Sequence, residues 1–334
     1  MALTSSNGSS VIDRVAEGRL SPAQALRWLS ESAGGKGSQG PATPAPTGTP
    51  ASDEPSGGRD LEALAQVMAE LDALVGLDRV KQAVRELRAY VEIRQRRAAV
   101  GLACEPLVLH MAFKGNPGTG KTTVARLVGR MLKALGVLPK GHTVEVERAD
   151  LVGEFVGHTA QRTREQIRKA IGGVLFVDEA YSLARGGEKD FGREAVDALV
   201  KAMEDHRHEL VVIVAGYDQE MELFLNLNPG LRSRIPFIID FPDYTTEELL
   251  AIATEMLRAR DYRLTPEARE RLASALLYHR VGGWYPFGNA RLVRNLLEAA
   301  IRRQAVRLQG AGAYSREELM LLRAEDIPLD EAGA

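Results

Sequence analysis

Cysteine is almost absent from this 334-residue chain, which contains a single one, Cys104. A disulfide framework needs paired cysteines and a cysteine zinc site needs several, so both are excluded. A chain that uses cysteine this sparingly is expected in a reducing compartment. Disulfide-rich secreted folds are therefore not candidates.

Other signals are also missing. The start of the chain, Met1 to Gly8, lacks a charged segment followed by an apolar one, so no signal peptide is expected. No uninterrupted apolar run approaches the roughly 18 residues that a membrane helix needs. Acidic and basic residues nearly balance, 45 against 43, so no global basic field favours nucleic acid. The sequence predicts a cytoplasmic protein without membrane insertion, for which nucleic acid is not the expected partner.

Composition divides the chain into four parts. Residues 1–32 carry apolar positions at helical spacing around a turn, which predicts a small helical hairpin, either a weakly ordered appendage or a docking module. Residues 33–60 are nearly all small or polar and predict a disordered linker. Residues 61–243 alternate helical patterns with apolar strands, which predicts a parallel sheet covered by helices on both faces. One of these patterns predicts a long helix from about Asp78 to Ala99, with Val80, Val84, Leu87, Val91 and Ile93 mostly inward. Residues 244–334 predict a separate all-helical domain.

A glycine-rich loop lies at the first predicted strand-to-helix junction. The apolar run 107–113 predicts the strand, and the pattern G-x-x-x-x-G-K-[ST] follows from Gly115 to Thr122 and opens a helix. Pattern and context together are typical of a phosphate-binding loop, whose backbone N–H groups surround an anion. Lys121 is expected to reach the β- and γ-phosphates and Thr122 to ligate Mg²⁺. A plain glycine turn is the alternative.

A second predicted strand ends in two carboxylates. Its residues, Val174 to Val177, are uniformly apolar, and Asp178 and Glu179 follow directly. The first carboxylate is expected to hold Mg²⁺ through its water shell, and the second to activate the attacking water as general base. Alone, this pattern would fit a capped turn, but beside a phosphate-binding loop it favours nucleotide hydrolysis.

Two arginines stand where a phosphate site could use them. Arg234 immediately precedes the last predicted strand of the sheet, and Arg291 begins a helix of the second domain. A departing γ-phosphate needs further positive charge, and a planar guanidinium binds phosphate oxygens in pairs. From the residues alone, a surface salt bridge is the better interpretation of each arginine.

Four stretches carry a family resemblance, namely 113–126, 147–160, 176–191 and 228–234. On these residues, 62–328 resembles an AAA+ ATPase and, more narrowly, the CbxX/CfxQ family, which includes red-type Rubisco activases and sporulation proteins. The second and third stretches are specific to this subfamily. Within the third, the segment from Arg185 to Asp190 resembles the sporulation members more than the activases.

The resemblance implies an α/β fold with a five-stranded parallel sheet and helices on both faces, followed by an all-helical lid. It also implies binding of ATP and Mg²⁺, ATP hydrolysis, and self-association into a ring, typically a hexamer. The expected function is ATP-driven remodelling of a protein client through a central pore loop in sporulation, with Rubisco-activase-like remodelling as the alternative. Two competing functions are a nucleic-acid-linked loader and a nucleotide-dependent assembly scaffold. The sequence does not identify the client.

Individual roles follow from the same resemblance. Nucleotide binding is implied for Val75, Gly76, Leu77, Pro117, Gly118, Thr119, Gly120, Lys121, Thr122, Thr123 and Arg291. Metal binding is implied for Thr122 and Asp178. Catalytic roles are implied for Glu179, Lys121, Arg234 and Arg291.

The remaining implied roles concern loops and the neighbouring subunit. An aromatic pore loop is matched by Phe155, Val156 and Gly157. Arg234 matches an arginine finger that reaches a neighbour's nucleotide, with Arg232 as the alternative, and Arg291 matches the second sensor on the lid. The first-sensor position, often a small polar residue, falls at Gly216-Tyr217-Asp218, where Tyr217 or Asp218 would have to substitute.

Overall fold

The computed structural model describes residues 60–155, 157–185, 191–282, 286–309 and 314–329, with the backbone alone for Leu227. The predicted hairpin and all but the last residue of the predicted linker lie outside these ranges, as do Val156 and residues 186–190. Among the described residues, none of the helices combines the length and apolarity needed to cross a bilayer.

The described residues between 60 and 241 form an α/β unit. Its strands are β1 (Met111–Gly115), β2 (Thr143–Val146), β3 (Val174–Val177), β4 (Val211–Gly216) and β5 (Phe237–Phe241). Its helices are α1 (Leu61–Ala73), α2 (Asp78–Ala99), α3 (Lys121–Ala134), α4 (Arg148–Leu151), α5 (His158–Ala170), α6 (Gly192–Asp205), α7 (Asp218–Leu227) and α8 (Pro229–Arg234). A short 3₁₀ turn, Ala180–Ala184, follows β3.

The five strands form one sheet in the order β2-β3-β4-β1-β5, and every pairing is parallel. All residues of β3 and β4 are buried. Along β3, Val174 and Phe176 enter one hydrophobic core while Leu175 and Val177 enter the other, because successive side chains point to opposite faces. The predicted parallel sheet covered on both faces is confirmed.

Helix α2 shows how the hydrophobic period sets an element. It runs from Asp78 to Ala99, as the pattern predicts. Its buried apolar residues are Val80, Val84, Leu87 and Val91. The prediction that Ile93 also points inward is wrong: this side chain is 52% exposed, because two positions beyond Val91 lies off the buried stripe.

One strand boundary and one additional helix differ from the pattern. Strand β1 begins at Met111 rather than at residue 107, because its pairing to β4 and β5 starts there. The stretch before β5 contains a helix, α8, that the pattern did not indicate. The Asn228 side chain accepts a hydrogen bond from Gly230 N at 2.8 Å, and Pro229 occupies the first helical position, so the local chemistry of a helix start is present.

The C-terminal part is helical, as expected, with α9 (Thr246–Arg258), α10 (Pro266–Val281), α11 (Asn289–Leu308) and α12 (Arg316–Met320). Side-chain caps begin three of these helices, from Thr245, Thr265 and Ser315. A small parallel pair that the sequence did not indicate, β6 (Arg263–Leu264) with β7 (Leu321–Leu322), adds to the helices. Arg307 of α11 donates to both carboxylate oxygens of the buried Asp326 at 2.9 and 2.8 Å and ties the segment around Asp326 to this unit.

The parallel arrangement decides where the polar loops meet. The carboxyl ends of neighbouring parallel strands lie at one edge of a sheet, where α/β proteins bind ligands. At that edge β1 leads into the glycine loop, β3 into Asp178, and β4 into Tyr217. The start of α11 in the lid reaches the same edge, since Ala290 N donates to Gly118 O at 3.2 Å.

Candidate active site

The glycine loop is shaped by close approaches as well as by its own dihedrals. Gly118 has φ +73°, and a Cβ there would lie 2.2 Å from Gly288 O and 2.7 Å from Arg291 N. Both neighbours are backbone atoms of the lid, which therefore needs glycine at this position in order to dock. Gly115, with φ +148°, similarly makes room for Phe241 O of β5.

Lys121 begins α3 and is largely buried. Its Nζ donates to Gly115 O at 2.8 Å and to Asn116 O at 2.7 Å, so the loop holds the ammonium at its centre. Burial lowers its pKa to about 8, although the negative charge of Asp178 opposes this effect. A phosphate placed here would stabilise the charged lysine, because an adjacent negative charge raises the pKa of an ammonium.

Asp178 and Glu179 lie side by side at the end of β3. The Glu179 backbone adopts φ 46° and ψ 42°, in the left-handed region, and its N–H donates to Asp178 Oδ1 at 3.0 Å. This bend starts the 3₁₀ turn and leaves the Glu179 side chain exposed in the cleft. Thr122 lines the same cleft, so the three oxygen-bearing side chains predicted for metal and water are brought together.

The cleft has a volume of about 540 Å³, within the range of small-molecule sites. Its apolar lining residues come from the segment before α2 and from the start of the lid, namely Leu74, Val75, Leu77, Tyr244, Ile252 and Met256. The phosphate-loop side contains Pro117, Gly118, Gly120, Lys121, Thr122 and Thr123. An apolar slot beside a cationic loop suits a flat base joined to a phosphate chain.

Two residues predicted to bind nucleotide do not line this cleft. Thr119 is fully buried and its hydroxyl donates to Asn116 O at 2.8 Å, so it stabilises the loop. Gly76 has φ +61°, and a Cβ there would lie 2.1 Å from Glu248 Oε1 of the lid. It thereby lets the turn before α2 approach α9, while the next residue, Leu77, faces the cleft.

Besides Arg291, the lid contributes Arg294 and Tyr244 to the lining of the cleft. Arg291 and Arg294 both line it, three residues apart on one face of α11. The helical spacing after Arg291 was the signal that could have found Arg294. Tyr244 was missed because nothing local marks it: its hydroxyl donates to Thr119 O at 3.2 Å across 125 residues of sequence.

The structure separates the two candidates for the first sensor. Tyr217 lines the cleft, and its ring stacks on Tyr181 with centroids 5.6 Å apart. Burial and then the charge of Glu179 raise the pKa of Tyr217, so its hydroxyl stays protonated. Asp218 instead pairs with Lys114 at 2.7 Å and does not line the cleft.

Arg232 and Arg234 lie in the last turn of α8, outside the lining of this cleft. Arg234 Nη1 donates to Gly230 O at 3.3 Å and its Nε lies 3.3 Å from Glu204 Oε2. Arg232 pairs with Glu222 at 3.3 Å and is the more exposed of the two. The structure does not bring Arg234 to the nucleotide cleft of its own chain.

Phe155 lies in the turn between α4 and α5 and is 64% exposed. Its ring meets the His158 ring edge-on, with centroids 5.4 Å apart. Gly157 precedes α5 with φ +82°, and a Cβ there would meet nothing within 4 Å. Val156 lies outside the described residues.

Comparison with known proteins places these features in a family. The profile described as ATPase family associated with various cellular activities (AAA) matches residues 111–243, and the AAA lid domain profile matches residues 245–334. Stage V sporulation protein K of Bacillus subtilis (strain 168) is 51% identical over 269 residues, which cover 80% of this chain and 84% of the relative.

Two further relatives support the same family, and one solved structure supports the fold. Protein CbbX of Cereibacter sphaeroides is 47% identical over 266 residues, covering 78% of this chain and 85% of the relative. The chloroplastic ribulose bisphosphate carboxylase/oxygenase activase of Cyanidioschyzon merolae (strain NIES-3377 / 10D) is 45% identical over 276 residues, covering 80% and 89%. The crystal structure of the FIGL-1 AAA domain superposes with TM-score 0.53 at 18% identity, covering 84% of this chain and 91% of that one, which supports the fold alone.

Proposed function

This chain belongs to the CbxX/CfxQ family of AAA+ ATPases, and we propose that it is a ring-forming motor that pulls on a protein client with the loop at Phe155. It binds nucleotide and hydrolyses ATP. The observation that carries the motor function is the 64% exposure of Phe155 in a glycine-flanked turn. A large aromatic residue kept at the surface fits contact with another polypeptide.

In hydrolysis, Lys121 moves its N–H donors from the loop carbonyls to the β- and γ-phosphate oxygens. Glu179 takes the proton of the attacking water as general base, supported by its exposure in the cleft beside the loop. Tyr217 acts as the first sensor, supported by its protonated hydroxyl in the same cleft.

Mg²⁺, when bound, neutralises phosphate charge, and Thr122 and Asp178 would hold it. The donor set fits this ion. Among the described ranges there is no cluster of three or more His, Cys, Asp or Glu that could hold a metal by protein groups alone. Magnesium at nucleotide sites takes only one or two protein oxygens and completes its shell with water and phosphate.

The two arginines act on different subunits. Arg291 contacts the nucleotide of its own chain, supported by its place in the cleft. Arg234 is the finger for a neighbour's nucleotide, supported by its position outside its own cleft, and Arg232 is the alternative finger. A finger acting in trans requires head-to-tail contacts, which close into rings. The ring is a hexamer, as is typical of AAA+ proteins.

Hydrolysis drives the motor as a switch between two lid positions. ATP between subunits engages Arg234 and Arg291, and loss of the γ-phosphate releases both. The lid then rotates and the loop at Phe155 moves. The energetic link is the different affinity of the two lid positions for ATP and ADP.

The client belongs to sporulation, supported by the relative named stage V sporulation protein K. The relative named as an activase of ribulose bisphosphate carboxylase/oxygenase favours that enzyme as the second candidate. A Glu179→Gln trap, immobilised with ATP and exposed to a cell extract, separates the two. Capture of the carboxylase decides for the second candidate, and capture of a spore-formation protein decides for the first.

Phe155→Ala tests the pore loop, with fluorescently labelled casein as an extended polypeptide probe and Glu179→Gln as background. Binding of casein in ATP should weaken by about tenfold or more, as expected for loss of one aromatic anchor, whereas ATP affinity should not change. Val306→Ala is the control, since Val306 is an apolar residue with a comparable exposure of 72% on the lid. Equal casein binding by Phe155→Ala and the control would refute the pore-loop assignment.

A further inference from the structure

Asn289 is a fully buried polar residue at the first position of α11, two residues before Arg291. Its φ of 48° lies in the left-handed region, which asparagine tolerates better than most other residues. Burying an amide is costly unless its donors and acceptor are satisfied. The partners of this side chain therefore indicate what it is for.

Those partners come from three separate segments. Asn289 Oδ1 accepts from Tyr244 N at 3.0 Å. Its Nδ2 donates to Asp243 Oδ1 at 2.7 Å, and it also contacts Phe287 O at 3.0 Å and Pro117 O at 3.3 Å. One amide thus connects the glycine loop, the exit from β5 and the lid.

Asp243 continues the connection to the loop. Both of its carboxylate oxygens accept from Asn116 Nδ2, at 2.9 and 3.0 Å. The carbonyl of that same Asn116 accepts from Lys121 Nζ at 2.7 Å. Asn116 is therefore a junction. Its backbone carbonyl accepts from Lys121, which serves the phosphates, and its side chain donates to Asp243, which contacts the lid.

Backbone atoms of the lid and of the glycine loop also meet beside Asn289. Ala290 N donates to Gly118 O, and the absence of a Cβ at Gly118 lets the lid backbone approach the loop. Arg291 follows directly, so its guanidinium is placed by the docking of residues 288–290 onto the loop. A side chain that secures this docking controls where Arg291 points.

We propose that Asn289 and Asp243 form a clamp between the lid and the phosphate loop, and that Asn289 is a positioning residue that holds Arg291 over the phosphates. The inference rests on the proposed role of Arg291 at the nucleotide. When Lys121 leaves Asn116 O for a phosphate oxygen, one bond at the junction is lost and the clamp changes with it. Nucleotide state thereby reaches the lid through Asn116 as well as through Arg291.

Exchanging an amide for a carboxylate of the same shape, or the reverse, changes the hydrogen bonds of a side chain without adding backbone strain. Aspartate tolerates the left-handed region as asparagine does, so Asn289→Asp keeps the backbone but sets a carboxylate oxygen against Asp243 Oδ1 and two carbonyl oxygens. Asp243→Asn replaces one of those opposing oxygens by a donor. Because Asp243 is exposed, that exchange should leave folding intact. The double variant should then recover part of what Asn289→Asp loses.

The readout is the position of the lid. Spin labels are placed on Cys104, the single cysteine of the chain, and on Val306→Cys in α11, and labelled subunits are diluted into unlabelled Cys104→Ser protein. With ATPγS the parent protein should give one narrow distance distribution between the labels. Asn289→Asp should broaden it, and the double variant should narrow it again.

Affinity for fluorescent ATP gives the second readout. Asn289→Asp should weaken it about thirtyfold, the effect of losing one charge-assisted hydrogen bond, and the double variant should recover most of this loss. A narrow distribution in Asn289→Asp, or a double variant no better than the single one, would overturn the clamp. If Asn289→Asp does not fold, Asp243→Asn and Asn116→Ala test the clamp instead. Each should broaden the distribution of distances between the labels, and a narrow distribution in both would overturn the clamp.

Arg291→Ala separates the clamp from the proposed function. It should weaken ATP binding, and because the contacts of Asn289 remain, the label distances should stay more narrowly distributed than in Asn289→Asp. Hydrolysis at the parental rate in Arg291→Ala would refute the role of that arginine, whereas the clamp would still be judged by the label distances.

Discussion

Gly118→Ala tests whether the lid must dock on the phosphate loop. The new Cβ would lie 2.2 Å from Gly288 O and 2.7 Å from Arg291 N, where ordinary contacts are 3.4 Å or longer. Since both atoms belong to the backbone of the lid, the lid has to move by about 1 Å, which breaks the Ala290–Gly118 hydrogen bond and disturbs the contacts of Asn289. Two or three such bonds, at about 1 kcal/mol each, correspond to an ATP affinity about 30- to 150-fold weaker.

The matched control is Gly101→Ala. Gly101 has φ +75°, close to the +73° of Gly118, but a Cβ there meets nothing within 4 Å. Both variants therefore bear the left-handed strain of about 1–2 kcal/mol, which lowers Tm by a few degrees, and only Gly118→Ala bears the clash. The assay is titration with a fluorescent ATP analogue together with steady-state ATPase and thermal unfolding. If Gly118→Ala binds and hydrolyses ATP as Gly101→Ala does, the docked lid is not needed and the reasoning fails.

Three further predictions concern single groups. Glu179→Gln should bind ATP normally but hydrolyse it about 100-fold or more slowly, because a general base is lost; hydrolysis within a few-fold of the parent would count against this role. ATP affinity should be constant up to about pH 7 and fall above it, because burial lowers the pKa of Lys121 to about 8 and only the charged lysine attracts phosphate; a flat profile to pH 9.5 would contradict this. Stability should be full above about pH 6.5 and fall at lower pH, because burial lowers the pKa of His110 in the folded protein and the unfolded chain binds that proton more readily. Denaturant titrations of His110→Gln, which should remove much of this dependence, provide the check.

The strongest local signals predicted the fold well. The uniform apolarity of β3 and β4 predicted a buried parallel sheet, and the period of α2 predicted its bounds. Errors arose where tertiary pairing overrides pattern, as at the start of β1, or where an element is too short for a period, as with α8 and the β6-β7 pair.

The candidate site likewise contains residues that local motifs mark and residues that only long-range contacts bring together. Lys121, Thr122, Asp178 and Glu179 are marked by motifs because each lies beside the strand end that positions it. The Asn289–Asp243 contact spans 46 residues and the Asn116–Asp243 contact spans 127, so no local spacing could indicate them. Arg234 lies outside the cleft of its own chain, because the nucleotide that it is proposed to reach belongs to a neighbouring subunit.

The most direct test of the motor is unfolding of a fluorescent protein that carries an unstructured casein tail, followed as loss of fluorescence with ATP present. We expect unfolding by the parent protein, no unfolding by Glu179→Gln, and none by Phe155→Ala even though that variant still hydrolyses ATP. Unfolding by Phe155→Ala at the parental rate would contradict the claim that ATP hydrolysis is coupled to a polypeptide through this loop.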